Sequence, residues 1–231
     1  MKKIFLAMRP WSFVVSFVSV LITAVGLAYM GYPVNWWMAF WAGIGIILFH
    51  AAGNTFSDYF DYKHGVDAED TYGQVLLNTK QMTLTEMLHL AYVLIALAFL
   101  NAVALWWATD WNIQLLLIGG VGAIIALAYA WLKFHALGDL AIFANFGLLP
   151  ALGTSIVATG VLTYDALWFL LLYIPITNAV LHANNTRDTF TDSRAHIKTM
   201  PMLLGKKISQ IIYYIEVFLP SIWTIVCVCV G

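Results

Sequence analysis

Two short polar stretches carry the side chains best suited to chemistry. In each, an asparagine is followed four residues later by an aspartate, and a second aspartate comes three or four residues after that. The first ladder is Asn54, Asp58 and Asp61, and the second ladder is Asn184, Asp188 and Asp192. Positions three, four or seven residues apart share one face of an α-helix. Each ladder is therefore predicted to form a polar stripe on a helix.

Carboxylates held close together repel one another, and removing them from water adds to that cost. Two such ladders facing each other would need cations between them. Magnesium is the natural candidate, because it takes a few carboxylate ligands, keeps some waters and completes its coordination with phosphate oxygens of a substrate. The pattern predicts that a diphosphate binds through Mg²⁺ ions, with Asp58, Asp61, Asp188 and Asp192 as the metal ligands. Acids at helix ends are also commonly solvated, and for Asp67 that interpretation is equally good.

Basic side chains lie near the second ladder and at one further helix end. Arg187 lies within the second ladder, and Lys198 follows it. In the sequence YAWLK, Tyr129 and Lys133 are four residues apart, so a phenol and an ammonium group share a helical face. These groups would neutralise a departing diphosphate. The alternative for Lys133 is an ordinary membrane anchor whose ammonium group reaches the lipid headgroups.

The elements that must position these residues are membrane helices. Of the 231 residues, 62% are hydrophobic and 10% are charged, whereas a soluble domain is about a quarter charged. Lipid must therefore cover most of the apolar surface, and apolar runs of about 20 residues predict spanning helices. The chain has seven such runs: Trp11–Tyr29, Trp36–Gly53, Glu86–Trp107, Ile113–Trp131, Asp139–Gly160, Ala166–Ala183 and Ile208–Val230. The predicted fold class is all-α, a polytopic transmembrane bundle of about seven helices forming one domain over residues 1–231.

The basic residues predict how these helices are oriented. If seven helices alternate, all 11 Lys and Arg residues lie on one face of the membrane, and the opposite loops carry only Asp110 and Asp165. The positive-inside rule then places the N-terminus and both long loops on the cytoplasmic side of the cell membrane. The net charge of −1 gives no reason to expect a nucleic-acid partner, and no required protein partner is evident.

Several motifs resemble one family of membrane enzymes. GNTFSDYFDYKHGVD (Gly53–Asp67) and NNTRDTFTDSRAHIKTMPMLLG (Asn184–Gly205) are similar to the two aspartate-rich motifs of the UbiA-type intramembrane prenyltransferase superfamily. RPWSF, beginning at Arg9, resembles the opening of that family, and Tyr129–Lys133 resembles its Tyr/Lys motif. LGDLAIFANFGLLPALGT (Leu137–Thr154) resembles the branch that prenylates 1,4-dihydroxy-2-naphthoate for menaquinone.

This resemblance implies Mg²⁺-dependent transfer of a polyprenyl group from its diphosphate to an aromatic acceptor, with 1,4-dihydroxy-2-naphthoate as the first choice. It assigns catalytic roles to Asp58, Asp61, Asp188, Asp192, Lys133 and Tyr129. It assigns substrate binding to Asn54, Asn184, Asn185, Arg187, Asp67, Lys198 and Arg9. Ser57 stands where the family usually has asparagine. The family typically has about nine helices, so the last of them are expected to be lacking here.

Other functions fit part of the pattern. An ion-coupled carrier would bind cations at both ladders, although such carriers usually place their carboxylates near the middle of the membrane. An inactive remnant of a transferase is a third interpretation, which rests on the early end of the chain. Within the superfamily, 4-hydroxybenzoate, haem and glycerol-phosphate acceptors stay open as alternatives.

Overall fold

Helices make up most of this chain. The computed structural model describes residues 2–63, 75–194 and 197–230. The predicted all-α bundle of membrane helices is confirmed for this part of the chain. The α-helices are α1 (Lys2–Ala7), α2 (Phe13–Tyr29), α3 (Trp36–Lys63), α4 (Val75–Asn78), α5 (Leu84–Ala108), α6 (Ile113–Leu127), α7 (Tyr129–Phe134), α8 (Gly138–Ile142), α9 (Leu149–Thr159), α10 (Ile174–Arg187), α11 (Thr189–Arg194), α12 (Met200–Leu204) and α13 (Lys206–Val230). Three irregular segments join them: a 3-10 turn (Pro10–Ser12), a π-helical turn (Phe143–Leu148) and a 3-10 segment (Tyr164–Leu172).

The predicted spans correspond to apolar helical segments. Among the described residues, five segments are long and apolar enough to cross a membrane as single helices: Pro10–Tyr29, Trp36–Lys63, Leu84–Ala108, Gly138–Thr159 and Lys206–Cys229. A sixth candidate is the 3-10 segment Tyr164–Leu172 with α10, which meet at a bend of 48°. The predicted span Ile113–Trp131 is wrong in its length, because α6 ends at Leu127 after 15 residues. At about 1.5 Å per residue, α6 is shorter than a hydrocarbon core of about 30 Å.

The first ladder lies on the long helix α3. The sequence predicted that this span ends at Gly53, but α3 continues to Lys63 and carries the whole ladder. Residues 54–63 contain neither glycine nor proline, so nothing in this stretch breaks the helix. Packing supports the extension, since the ring of Phe56 meets Tyr92 of α5 edge-on with centroids 5.6 Å apart. The aspartates therefore lie on rigid helix.

Small residues allow close packing around α2. Ser16, Ser19 and Thr23 are fully buried, where α2 packs against α3, α9 and the 3-10 segment. The hydroxyls of Ser19 and Thr23 donate to backbone carbonyls of α2 at 2.6 and 2.7 Å, so their polar groups are satisfied within the helix. At Gly26, an added Cβ would lie 2.4 Å from the ring of Phe169. Small residues of this kind let membrane helices approach closely.

Two prolines explain why the helix is interrupted at the π-helical turn and at the 48° bend. Pro150 begins the first turn of α9, directly after the π-helical turn, and Pro175 begins the first turn of α10, directly after the 48° bend. Proline lacks an N–H group, and its ring clashes with the carbonyl four residues earlier. A regular helix is therefore interrupted before each proline and starts again there.

The two ends of the bundle are held by different polar contacts. At one end, the Tyr32 hydroxyl donates to Asp165 Oδ2 at 2.6 Å, and the Asn35 N–H donates to the Ala158 carbonyl at 2.7 Å. At the other end, ion pairs join the N-terminal segment to α3 and α5, and α7 to α3. Both ladders lie at this second end.

Candidate active site

Asp58, in the middle of the first ladder, is paired with an N-terminal arginine. Its side chain is 3% exposed and accepts a hydrogen bond from Arg9 Nη2. Arg9 has a left-handed backbone, with φ 55° and ψ 58°, a conformation that costs a non-glycine residue about 1–3 kcal/mol. The ion pair with Asp58 helps to offset this strain. Arg9 was predicted from the sequence to bind substrate. In the structure its guanidinium group is hydrogen-bonded to Asp58, a predicted metal ligand.

Asn54 is held by the same N-terminal segment. Its Nδ2 donates to the Met8 carbonyl and to Ser12 Oγ, both at 3.2 Å. The 3-10 turn that begins at Pro10 thus covers one side of the first ladder. Asn54 joins the RPWSF motif to α3, one turn before Asp58, and so helps to position Arg9.

Asp61, the last member of the first ladder, contacts α7. Lys133 Nζ lies 3.6 Å from Asp61 Oδ2, and the two side chains are 23% and 22% exposed. Ser57 Oγ donates to the same carboxylate oxygen at 3.2 Å. The serine that departs from the expected asparagine therefore supports Asp61 through a hydrogen bond. The contact between Lys133 and Asp61 does not follow from the spacing of residues in the sequence.

The second ladder begins on α10 and continues into α11. Although α10 ends at Arg187, the Asp188 N–H donates to the Asn184 carbonyl at 2.9 Å. The Asp192 N–H donates to the Asp188 carbonyl at 2.8 Å, so the helical spacing persists across the break. Arg187 Nε and Nη2 each donate to a carboxylate oxygen of Asp188 at 2.6 Å. Asn184 is exposed, whereas the neighbouring Asn185 is buried.

The two ladders approach each other at Asp192, which is buried. Burial raises the pKa of Asp192, the Lys133 ammonium group opposes this, and the carboxylates of Asp188 and Asp61 raise the pKa further. Asp61 belongs to α3 and Asp192 to α11, so these interactions join the two ladders. Lys133 is the cation that they share. Lys133 therefore lies near Asp61 of the first ladder and Asp192 of the second ladder, at one end of the bundle.

α7 also contributes Tyr129, one turn before Lys133. The Tyr129 side chain is half-buried and lies close enough to interact electrostatically with Lys133, Asp61 and Asp139. Asp139 lies in the first turn of α8 and is buried. The sequence treated Asp139 only as the start of a span. A carboxylate within an apolar segment is the sequence signal that could have identified it.

Lys198 and Asp67 are the remaining predicted residues. Lys198 is exposed, and its backbone forms an isolated bridge with that of His135. This bridge places the segment after α11 beside the end of α7. Asp67 lies outside the described residues.

Comparison with known protein families identifies the chain. A profile of the UbiA prenyltransferase family matches residues 18–231. The chain belongs to this family. The superfamily predicted from the aspartate and Tyr/Lys motifs is confirmed, and this UbiA-family chain is a multi-pass membrane protein.

Several curated UbiA relatives cover nearly the whole chain. UbiA prenyltransferase domain-containing protein 1 of Danio rerio is 30% identical over 220 residues, which are 93% of this chain and 65% of that protein. The Homo sapiens protein of the same name is 30% identical, with coverage of 93% and 64%. The Drosophila melanogaster homolog is 31% identical over 235 residues, with coverage of 95% and 63%. The chain thus spans just under two thirds of the length of these relatives.

A solved structure from a study of digeranylgeranylglyceryl phosphate synthase in membranes has the same fold. It superposes with a TM-score of 0.63 and covers 96% of this UbiA chain and 75% of its own. The two sequences are 16% identical, so the likeness concerns the fold alone.

UbiA-family prenyltransferases are generally dependent on a divalent metal, and the ladders fit such an ion. All four aspartates offer hard oxygen ligands, as Mg²⁺ prefers. Within the described part of the chain, no three His, Cys, Asp or Glu side chains are grouped as a metal site. Two carboxylates for each ion would leave coordination positions for water and phosphate oxygens, which is usual for Mg²⁺. Burial, and after it the carboxylates of Asp188 and Asp61, raise the pKa of Asp192, and a cation bound there would stabilise the ionised form.

Proposed function

We propose that this UbiA-family chain transfers a polyprenyl group from its diphosphate to an aromatic acceptor in a Mg²⁺-dependent reaction. The observation that carries the proposal is the approach of Asp61 and Asp192, from the two ladders, around the shared cation Lys133. A diphosphate needs both metal-binding carboxylates and cationic hydrogen-bond donors. Lys133 and Arg187 supply such donors next to both ladders.

The first step breaks the bond between the allylic carbon and the diphosphate oxygen. The leaving diphosphate takes the electron pair, and Lys133 and Arg187 would stabilise the charge that develops on its oxygens. Tyr129 would donate its hydroxyl hydrogen to the same group. Mg²⁺ bound to Asp58, Asp61, Asp188 and Asp192 would add electrophilic stabilisation of that charge.

The ion pairs seen at the ladders prepare this chemistry. A buried carboxylate without a partner tends to take up a proton, whereas a neighbouring guanidinium favours the ionised form. Arg9 donates a hydrogen bond to Asp58, and Arg187 donates to both carboxylate oxygens of Asp188. These guanidinium groups offset part of the repulsion between the carboxylates of each ladder.

The second step joins the prenyl group to the acceptor. The aromatic ring attacks the allylic carbon and a carbon–carbon bond forms. The ring then passes a proton to the released diphosphate, which restores its aromaticity. Water would destroy the allylic cation, so the reaction needs a dry space. A bundle of apolar helices excludes water and also surrounds the hydrocarbon tail.

The acceptor that we propose is 1,4-dihydroxy-2-naphthoate, the precursor prenylated in menaquinone biosynthesis. Support for this choice comes from the resemblance of residues 137–154 to that branch. We also propose that the chain lies in the cell (inner, cytoplasmic) membrane with the ladders on the cytoplasmic side. The basic residues support this orientation, since they cluster around the end of the bundle that holds the ladders.

The test is a transfer assay with the purified chain in detergent. Radiolabelled polyprenyl diphosphate and Mg²⁺ are supplied with 1,4-dihydroxy-2-naphthoate, 4-hydroxybenzoate or glycerol phosphate. We expect lipid-soluble product with the naphthoate, and its loss in Asp58→Asn and Asp188→Asn. Asp110→Asn is the matched control, because Asp110 is exposed beyond the opposite end of α5 and its φ of 52° suits asparagine equally well. Product that survives Asp58→Asn and Asp188→Asn would refute the site, and no product with any acceptor would refute the function.

A further inference from the structure

A second group of ionisable side chains is buried among the helices. The buried acid–histidine cluster consists of Asp139 of α8, His182 of α10 and Glu216 of α13. Asp139 is 9% exposed and His182 is 1% exposed, and the Glu216 side chain is 15% exposed. His182 Nδ1 lies 3.9 Å from Glu216 Oε2. The Asp139 carboxylate lies close enough to interact electrostatically with both other members.

Each member of this cluster has a buried polar atom that lacks a hydrogen-bond partner among the described residues. These atoms are Asp139 Oδ2, His182 Nε2 and Glu216 Oε2. Another histidine, His50 of α3, shows the ordinary arrangement, because Ser16 Oγ lies 2.5 Å from its Nδ1 and Ser12 Oγ lies 3.4 Å from its Nε2. Unpaired polar atoms are costly in an apolar bundle. Three of them together point to a ligand.

The cluster adjoins the proposed diphosphate site. Asp139 interacts electrostatically with Tyr129, which also interacts with Asp61 of the first ladder. A cavity of about 430 Å³ between α10 and α13 is lined by both His182 and Arg187, with Tyr213 and Tyr214 among its other walls. Small-molecule pockets usually measure about 300–1,000 Å³. A ring compound beside His182 would therefore lie next to the departing diphosphate.

The unpaired atoms also define the chemistry of the ligand. Two are carboxylate oxygens, which accept hydrogen bonds when ionised, and the third is an imidazole nitrogen. His182 Nδ1 lies 3.9 Å from Glu216 Oε2, which is too far for a hydrogen bond. In the neutral tautomer with the hydrogen on Nδ1, Nε2 is an acceptor. All three atoms can therefore accept from a ligand that carries hydroxyl groups.

We infer that the buried acid–histidine cluster binds the ring hydroxyl groups of the aromatic acceptor, with His182 Nε2 accepting a hydrogen bond from one of them. This inference rests on the proposed function and assigns the acceptor end of the same site. A hydroxyl that donates strongly to nitrogen increases the electron density of its ring. The ring carbon is then a better nucleophile toward the allylic carbon.

Calorimetric titration in detergent tests this inference without turnover. The purified chain is saturated with Mg²⁺ and an unreactive thiolo-diphosphate analogue, and 1,4-dihydroxy-2-naphthoate is then titrated in. His182→Phe is expected to raise the Kd of this probe by about tenfold or more, because the hydroxyl loses its acceptor. His182→Gln, whose amide oxygen can still accept, should recover part of the affinity. His89→Phe, which changes an exposed histidine on α5, is the matched control and should leave the Kd unchanged.

The dimethoxy analogue of the same naphthoate separates this role from a packing effect. Because it cannot donate a hydrogen bond, its Kd should be the same in the wild-type chain and in His182→Phe. The Kd of the diphosphate analogue should also be unchanged, which confirms a folded site. If His182→Phe weakens both naphthoates equally, or neither, the inference is wrong while the proposed transfer can still stand. A wild-type chain that binds no hydroxylated naphthoate and transfers no prenyl group overturns both proposals.

Discussion

Replacing Lys133 by methionine is expected to weaken binding of a prenyl diphosphate by about 10- to 100-fold. Two unit charges 4 Å apart attract by about 4 kcal/mol at an effective dielectric constant of about 20. Lys133 is already 3.6 Å from Asp61, so part of this attraction exists before the substrate binds. A hydrogen bond to a charged group contributes a net of about 1.5–3 kcal/mol, and about 1.4 kcal/mol corresponds to a tenfold change in Kd.

Titration of the purified chain with the thiolo-diphosphate analogue and Mg²⁺ measures this change. Lys3→Met is the matched control, since Lys3 Nζ lies 2.6 Å from Glu86 Oε1 but these side chains are 42% and 46% exposed. Exposed ion pairs of this kind contribute about 0–1 kcal/mol to stability, and Lys3 lies outside the proposed site. Although the Lys3–Glu86 pair is the shorter of the two, Lys3→Met should leave the Kd of the analogue unchanged. Solvent screens this pair, and the proposed substrate does not contact it.

Two results would refute the reasoning about Lys133. An unchanged Kd in Lys133→Met, with the melting temperature preserved, would mean that this ammonium group does not contact the diphosphate. An equal loss of affinity in Lys3→Met would mean that the effect reflects overall charge rather than the position of Lys133 between the ladders.

Further predictions concern packing and helix capping, and both are measured as melting temperatures in detergent. Gly26→Ala should destabilise the chain by about 1–3 kcal/mol, because its Cβ would lie 2.4 Å from the ring of Phe169. In the control variant Gly119→Ala, the added Cβ would meet nothing within 4 Å, so stability should be unchanged or rise by up to about 1 kcal/mol. Equal melting temperatures for the two variants would contradict the close approach of α2 to Phe169. Thr83→Ala should cost about 1 kcal/mol, because the Glu86 N–H donates to Thr83 Oγ1 at 3.1 Å in the capping box of α5. A melting temperature that does not fall would show that this cap is not formed.

The sequence by itself determined the class of the protein and most of its membrane helices. Apolar length and helical spacing are local properties, so a stretch such as Trp36–Gly53 can be recognised without knowing its neighbours. The shared face of Asp58 and Asp61 follows from the same local geometry. The error at Ile113–Trp131 has a local cause as well, because hydropathy does not reveal a break between two helices that are both apolar.

Only the tertiary structure decided which side chains meet. Arg9 pairs with Asp58 across 49 residues of sequence, and Lys133 of α7 reaches Asp61 of α3. The cluster of Asp139, His182 and Glu216 draws one residue from each of three helices. Contacts of this kind depend on how helices pack and rotate against one another, and no periodicity along a single helix encodes that rotation.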